Sequence, residues 1–223
     1  MNYTDTIQKQ YDFFNTNQTK SIPFRIGQLK KLKEIITREE SSFYDAIYSD
    51  FKKSKADTYS TELSFVYDEI DLAIKKLPSW AKHKRVRPNP LTLPSKSYLV
   101  PEPLGTCLVI GAWNYPYNIS LVPLIAAMAA GNTVILKPSE IPSATSALMA
   151  RLINDNFPAE YMYVVEGGIP ETTALLEERF DKIFFTGSTT VGRIVYEAAA
   201  KHLTPVTLEM GGKSPAIVTK DTN

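Results

Sequence analysis

The sequence predicts an α/β fold, a parallel sheet with helices on both faces, preceded by an N-terminal helical region. Three observations carry this. Short apolar runs without polar alternation recur from residue 104 onward. Helical patterns separate them. Residues 1 to about 80 instead repeat their apolar positions at the 3.6-residue period of a helix. Apolar strands separated by helices indicate a parallel sheet covered on both sides. Right-handed crossovers then give a doubly wound, Rossmann-like arrangement.

In the N-terminal region Leu29, Leu32 and Ile36 are spaced as on one helix face, and Leu63, Val66, Tyr67, Ile70, Ile74 and Leu77 keep the same period. Each stripe requires a partner further along the chain. Pro88, Pro90, Pro94, Pro101 and Pro103 then crowd one stretch. Proline fixes φ and removes a donor, so an extended crossing segment is expected, with residues 97–100 as a short edge strand. Beyond it the predicted strands are 106–110, 133–136, 161–165, 182–185 and 206–208, with a shorter one at 216–218. Residues 121–130 are apolar nearly all round and predict a buried helix; 143–155 carry Leu148, Leu152 and Ile153 on one face. Val191, Ile194, Val195, Ala198 and Ala199 predict a further amphipathic helix. The expected units are 1–82 (helices packing on the sheet domain), 83–103 (an extended bridging or oligomerisation segment) and 104–223 (the sheet domain).

Composition bounds the function. The 223 residues carry 25 basic and 24 acidic side chains, a formal charge of +1, and are 43 % hydrophobic. Without a basic excess a nucleic-acid partner is not expected. The single cysteine, Cys107, excludes an internal disulfide and any cysteine-cluster metal site. Lying inside the first sheet strand, it is expected in the core. His83 and His202 are expected at the surface, and no metal site is expected. The start shows no signal-peptide pattern. The longest apolar stretch, 121–130, is interrupted by Pro123 and falls short of the about 20 residues a membrane span needs. No membrane association and a cytoplasmic location are therefore expected.

In a doubly wound sheet ligands bind beyond the carboxyl ends of the strands. The residues there are Trp113-Asn114-Tyr115-Pro116, Lys137-Pro138-Ser139-Glu140, Gly187-Ser188-Thr189-Thr190-Val191-Gly192 and Glu209-Met210-Gly211-Gly212-Lys213. The Gly187–Gly192 turn opens a helix, whose unsatisfied N–H groups and partial positive charge suit a pyrophosphate. Ser188 can donate to a phosphate oxygen or merely cap the helix. The full G-x-G-x-x-G fingerprint is absent. Gly212-Lys213-Ser214 mimics the tail of a P-loop, but Thr207 stands where that rule needs glycine and Pro215 follows, which excludes an NTPase loop. Glu140 can accept from ribose hydroxyls beside Lys137, or the two can form a solvated ion pair. Asn114 can donate to a developing oxyanion or cap the helix ahead of Pro116. Glu209, if partly desolvated, can act as a base, or its carboxylate can be held by nearby N–H groups.

These four motifs, in this order and on these strand ends, resemble the aldehyde dehydrogenase superfamily, over almost the whole chain. Residues 111–116 and 201–209 are most similar to the class 3 branch, which acts on fatty and aromatic aldehydes. The resemblance implies NAD(P)-dependent oxidation of an aldehyde to a carboxylic acid. It assigns the thiohemiacetal oxyanion to the Asn114 amide and the hydrolytic water to Glu209. Cofactor binding falls to Lys137, Glu140, Gly187, Ser188, Gly192 and Trp113, and Tyr115 lines the aldehyde pocket. NAD is the implied cofactor, with NADP possible, although a glutamate at 140 disfavours a 2′-phosphate. Thr190 stands where many members have an acidic residue, which is compatible with class 3. A homodimer is implied for a full-length form. The family's cysteine nucleophile lies beyond the Glu209 motif and is not reached by residue 223, so this chain is expected to be an N-terminal half, a truncated form of the family fold without the catalytic domain and inactive alone. The alternatives are a non-catalytic NAD-binding module and an unrelated Rossmann-like oxidoreductase.

Overall fold

The computed structural model describes residues 3–222. The N-terminal region comprises α1 (Thr4–Asn15), α2 (Ile22–Arg38), α3 (Glu40–Phe51) and α4 (Lys55–Thr58), which runs through a π turn (Tyr59–Leu63) into α5 (Ser64–Trp80). Helix α2 starts where Ser21 Oγ accepts the Phe24 N–H at 3.4 Å, with Pro23 in the first turn, where its missing donor costs nothing. Leu29, Leu32, Ile36, Val66, Ile70 and Leu77 are buried, as their spacing requires, while Tyr67 and Ile74 are half-buried. Helices α2 and α5 pack on each other and on the later helix α6 (Asn118–Ala130).

The proline-rich stretch is extended except for a 3-10 turn at Pro90–Thr92. The predicted edge strand appears as β2 (Ser97–Leu99), antiparallel to β1 (Lys84–Val86), with Lys84 opposite Leu99.

The remaining elements are β3 (Thr106–Ile110), α6, β4 (Thr133–Lys137), α7 (Ser143–Asn154), β5 (Met162–Val164), α8 (Ile169–Leu176), β6 (Lys182–Gly187), α9 (Thr189–Ala200) and β7 (Val206–Met210). Among the described residues these strands form one parallel sheet in the order β5-β4-β3-β6-β7. The side chains of β3 alternate between two cores. Val109 faces the helices of the N-terminal region, α6 and α7, whereas Leu108 and Ile110 face α8, α9 and Ile7 of α1. Both faces are therefore covered, which is why the strand runs lack polar alternation. Chain order reverses between β3 and β6, and this divergence of the flanking connections opens a crevice. Ile110 pairs with both Lys137 and Phe185, and Thr186 with Glu209, so the strand exits lie side by side.

The structure departs from the sequence reading in three places. Residues 216–218 form no strand: Pro215 offers no N–H, and Ile217 and Val218 are 88 % and 77 % exposed. Helix α8, whose eight residues carry a weak period, was not foreseen. The helical stripe of α9 splits, with Val195, Ala198 and Ala199 buried but Val191 and Ile194 exposed. Among the described residues no helix is long and apolar enough to cross a membrane.

Candidate functional site

A cavity of about 710 Å³ lies at the carboxyl ends of β3, β6 and β7. Its polar rim is formed by Asn114, Ser188 and Glu209, and Trp113 and Gly187 join the lining. Its floor is apolar, from Ile119 and Val122 of α6 with Phe184 and Met210. Three separate strand exits thus converge, as the sequence reading required.

The connections that follow the strands end in helix N-termini, and three of the four are already satisfied by carboxylates. At α6, Glu62 Oε2 accepts the N–H groups of Tyr117 at 2.9 Å and Asn118 at 3.1 Å. At α7, Asp50 accepts the N–H groups of Ala144 at 3.1 Å and Thr145 at 2.8 Å. At α8, Glu171 Oε2 accepts the Gly168 N–H at 2.7 Å, and donation from its own backbone and that of Gly168 holds its carboxyl below the usual range. Helix α9 differs. Its cap is the neutral Ser188, whose Oγ accepts the Val191 N–H at 3.3 Å, and Ser188, Thr189 and Thr190 are exposed. The uncompensated positive end that faces the cavity is therefore that of α9.

The glycines of this turn are there for close approach. A Cβ at Gly187 would meet the Phe185 ring at 2.5 Å, and one at Gly192 would meet Met210 Sδ at 2.9 Å. Gly192 is buried behind the turn and is not part of the cavity lining.

Lys137 and Glu140 lie at the exit of β4, outside that lining. They are not a solvated pair. Lys137 is buried, its Nζ donating to the Pro138 carbonyl at 2.7 Å and lying 3.9 Å from the exposed Glu140 carboxylate. Burial pulls the ammonium pKa below its usual value, with Glu140 and Glu171 opposing.

Asn114 does not cap α6. That helix begins four residues later, at Asn118, and its N-terminus is taken by Glu62. The amide sits on an exposed loop between Trp113 and Tyr115, free for the cavity. Tyr115 lies outside the cavity lining, with Lys53 Nζ 4.6 Å from its ring centroid. Glu209 is exposed at the end of β7. Cys107 is buried in β3, and burial raises its thiol pKa to about 12. His83 and His202 are exposed.

Sequence reasoning missed Glu62, Asp50 and the apolar floor. Glu62 had a signal: it falls on the stripe of Val66 and Ile70 at four-residue steps, and a carboxylate on an apolar helix face requires a buried partner. Burial raises its pKa, opposed by Lys53 and by the N–H groups of Asn118 and Tyr117.

Comparison with known proteins places this geometry. The sequence model of the aldehyde dehydrogenase family matches residues 2–223. The 4,4'-diaponeurosporen-aldehyde dehydrogenase of Staphylococcus aureus is 50 % identical over 219 residues, covering 97 % of this chain and 48 % of the relative. The dimeric NADP-preferring aldehyde dehydrogenase of Rattus norvegicus is 49 % identical over 218 residues, covering 98 % of this chain and 48 % of the relative. The solved structure of the substrate-bound state of Staphylococcus aureus AldH superposes with a TM-score of 0.94 at 48 % identity, covering all of this chain and 49 % of that one. The chain thus spans about half the length of the relatives it matches. Its sequence and its fold both place it in the aldehyde dehydrogenase family.

Proposed function

We propose that this chain supplies the dinucleotide-binding and oxyanion-stabilising part of an NAD(P)-dependent enzyme that oxidises an apolar aldehyde to a carboxylic acid. The observation that carries the reading is that Asn114, Glu209 and the positive end of α9, capped only by the neutral Ser188, share one cavity. Its volume of about 710 Å³ suits a bound small molecule. The N-terminus of α9 and Ser188 would hold the pyrophosphate, Gly187 and Gly192 keep the turn close to the sheet, and Trp113 would contact the dinucleotide from the cavity lining. The Glu140 carboxylate accepts from the adenosine ribose beside Lys137. When bound, the dinucleotide supplies a hydride acceptor.

The remaining chemistry of this chain is polar. The Asn114 amide donates to the aldehyde oxygen as it gains negative charge, a contribution of about 3 kcal/mol in comparable sites. The Glu209 carboxylate accepts a proton from the hydrolytic water. The apolar floor, with Tyr115 on the adjoining loop, selects a fatty or aromatic aldehyde, and the name of the Staphylococcus aureus relative carries a 4,4'-diaponeurosporen-aldehyde. The name of the rat relative, dimeric and NADP-preferring, fits a homodimeric full-length form and leaves both coenzymes in play. A cytoplasmic setting fits the single free thiol.

One observation favours a narrower role. The only thiol of the sequence, Cys107, is buried, so these 223 residues hold no accessible cysteine nucleophile and the chain by itself acts as a binding module. Titration with NAD and NADP, followed by Trp113 fluorescence with Trp113→Phe as control, tests the reading. Saturable binding tighter than about millimolar is expected, with no NADH formed from hexanal or benzaldehyde by the chain alone. Absence of binding contradicts the proposed function, and turnover by the chain alone contradicts the narrower role.

A further inference from the structure

Asn114 stands between two aromatic residues, each held from the N-terminal region. The Phe51 ring, at the end of α3, lies 6.4 Å from that of Trp113. Lys53 Nζ sits 4.6 Å from the centroid of Tyr115, a cation–π distance. The same ammonium is 3.0 Å from Glu62 Oε1, and the other carboxylate oxygen takes the N–H groups of Tyr117 and Asn118. Glu62 therefore uses one oxygen on each side. The pair is dry, with side-chain exposures of 12 % for Lys53 and 0 % for Glu62.

The arrangement sets α6 apart from the locally capped helices and is shared with α7, which Asp50 caps from 94 residues away. Helices α2, α4 and α9 are capped by the serine directly before them, Ser21, Ser54 and Ser188. Helix α6, whose lead-in carries Asn114, is capped from 55 residues away in sequence. A local serine would cap a donor one or two residues further into the helix without burying a charge. A remote carboxylate does something a local cap cannot: it ties the loop to a second rigid element. A side-chain amide stabilises an oxyanion only when its orientation is fixed beforehand by its surroundings.

We propose that Lys53 and Glu62 are positioning residues for Asn114. Together they clamp residues 113–118 onto the π turn and the α3–α4 connection, so that the Asn114 amide keeps one orientation in the cavity. The proposal rests on the oxyanion role of Asn114 given above, but its test reads the order of the loop and not the chemistry.

The test is heteronuclear NMR on the isotope-labelled 223-residue chain, native and as Lys53→Met, Lys53→Arg and Glu62→Gln. It follows amide exchange along the chain together with the Asn114 side-chain NH2 signals. In Glu62→Gln, exchange at Tyr117 and Asn118 is expected to rise about tenfold or more, the effect of losing charge-assisted hydrogen bonds, while β3 and β4 hold their protection. In Lys53→Met the Asn114 and Tyr115 side-chain signals are expected to shift and broaden, and Lys53→Arg to restore them. If Glu62→Gln does not fold, the two Lys53 variants decide alone. Asn114 signals unmoved in Lys53→Met, or loosening spread evenly over β3 and β4, overturns the clamp. Failure of the native chain to bind a dinucleotide would instead remove the proposed function and leave this readout intact.

Discussion

Asp50 reaches from α3 to Thr145 on α7, where its Oδ2 accepts both the backbone N–H at 2.8 Å and the hydroxyl at 2.6 Å. The N-terminal helices are thus bound to the sheet domain through the ends of its helices as well as through apolar packing. Replacing Asp50 by alanine removes the cap of α7 and leaves its first N–H groups without a carboxylate. The expected loss is about 1–3 kcal/mol of unfolding free energy, read from urea denaturation. Dinucleotide affinity should not change, because Asp50 meets α7 at Ala144 and Thr145 and belongs neither to the cavity lining nor to the hydrogen bonds of Lys137 and Glu140. An unchanged midpoint would mean that water replaces the carboxylate at no cost.

Ser188 makes the contrasting case. It caps α9 through Val191 and also lines the cavity. Ser188→Ala should cost about 1 kcal/mol of stability and, unlike Asp50→Ala, should weaken dinucleotide binding as well. Inorganic pyrophosphate should compete for the native site. A Ser188→Ala chain that loses stability but binds the dinucleotide at native strength would reduce Ser188 to a cap.

Lys137 should show opposite signs for stability and binding. Its pKa is lowered by burial, so the charged form is disfavoured by the fold. Between the depressed folded value and the ordinary 10.5, the unfolded chain binds more protons, so this group makes stability rise with pH across that window. Lys137→Met should lack that rise and be no less stable at neutral pH, while its dinucleotide affinity should fall about tenfold. Paired urea titrations at pH 7 and pH 10 with a binding isotherm check both. A large loss of stability on substitution would show instead that the hydrogen bond to Pro138 outweighs the burial of charge.

Cys107 gives a second pH signature. Burial raises its thiol from 9.0 to about 12. A raised folded value means that its contribution is complete below pH 9.0 and is lost as the pH rises toward about 12. The stability lost by the native chain over that interval should be smaller in Cys107→Ala. At pH 8 the native thiol should react with a disulfide reagent only as fast as the sheet opens, so that urea accelerates it. Rapid stoichiometric labelling without denaturant would place the thiol at the surface.

Much of this was legible in the sequence, for identifiable reasons. Strand β3 and the N-terminal helix faces declare themselves because apolar period and burial coincide, as at Leu29, Val66 and Val109. The strand-exit motifs were legible because sheet topology fixes where ligands lie, and Asn114, Ser188 and Glu209 do share a cavity. Residues 216–218 misled because an apolar run has no strand character without a neighbour to pair with, and Ile217 and Val218 remain exposed. Glu62 and Asp50 stayed hidden because their partners are 55 and 95 positions away, and no local pattern encodes which helix end a carboxylate will meet. The contact of Lys53 with the Tyr115 ring stayed hidden for the same reason, since the two lie 62 positions apart.

In the proposed complex a dinucleotide phosphate settles on the N-terminus of α9, in the cavity shared by Asn114 and Glu209. The most direct test of this placement is titration of NAD into the isotope-labelled chain while every backbone amide is followed. The largest shifts are expected on Gly187, Ser188, Thr189 and Thr190, with Tyr117 little changed under the Glu62 carboxylate. Shifts centred on the start of α6, or none at saturating NAD, would contradict the placement.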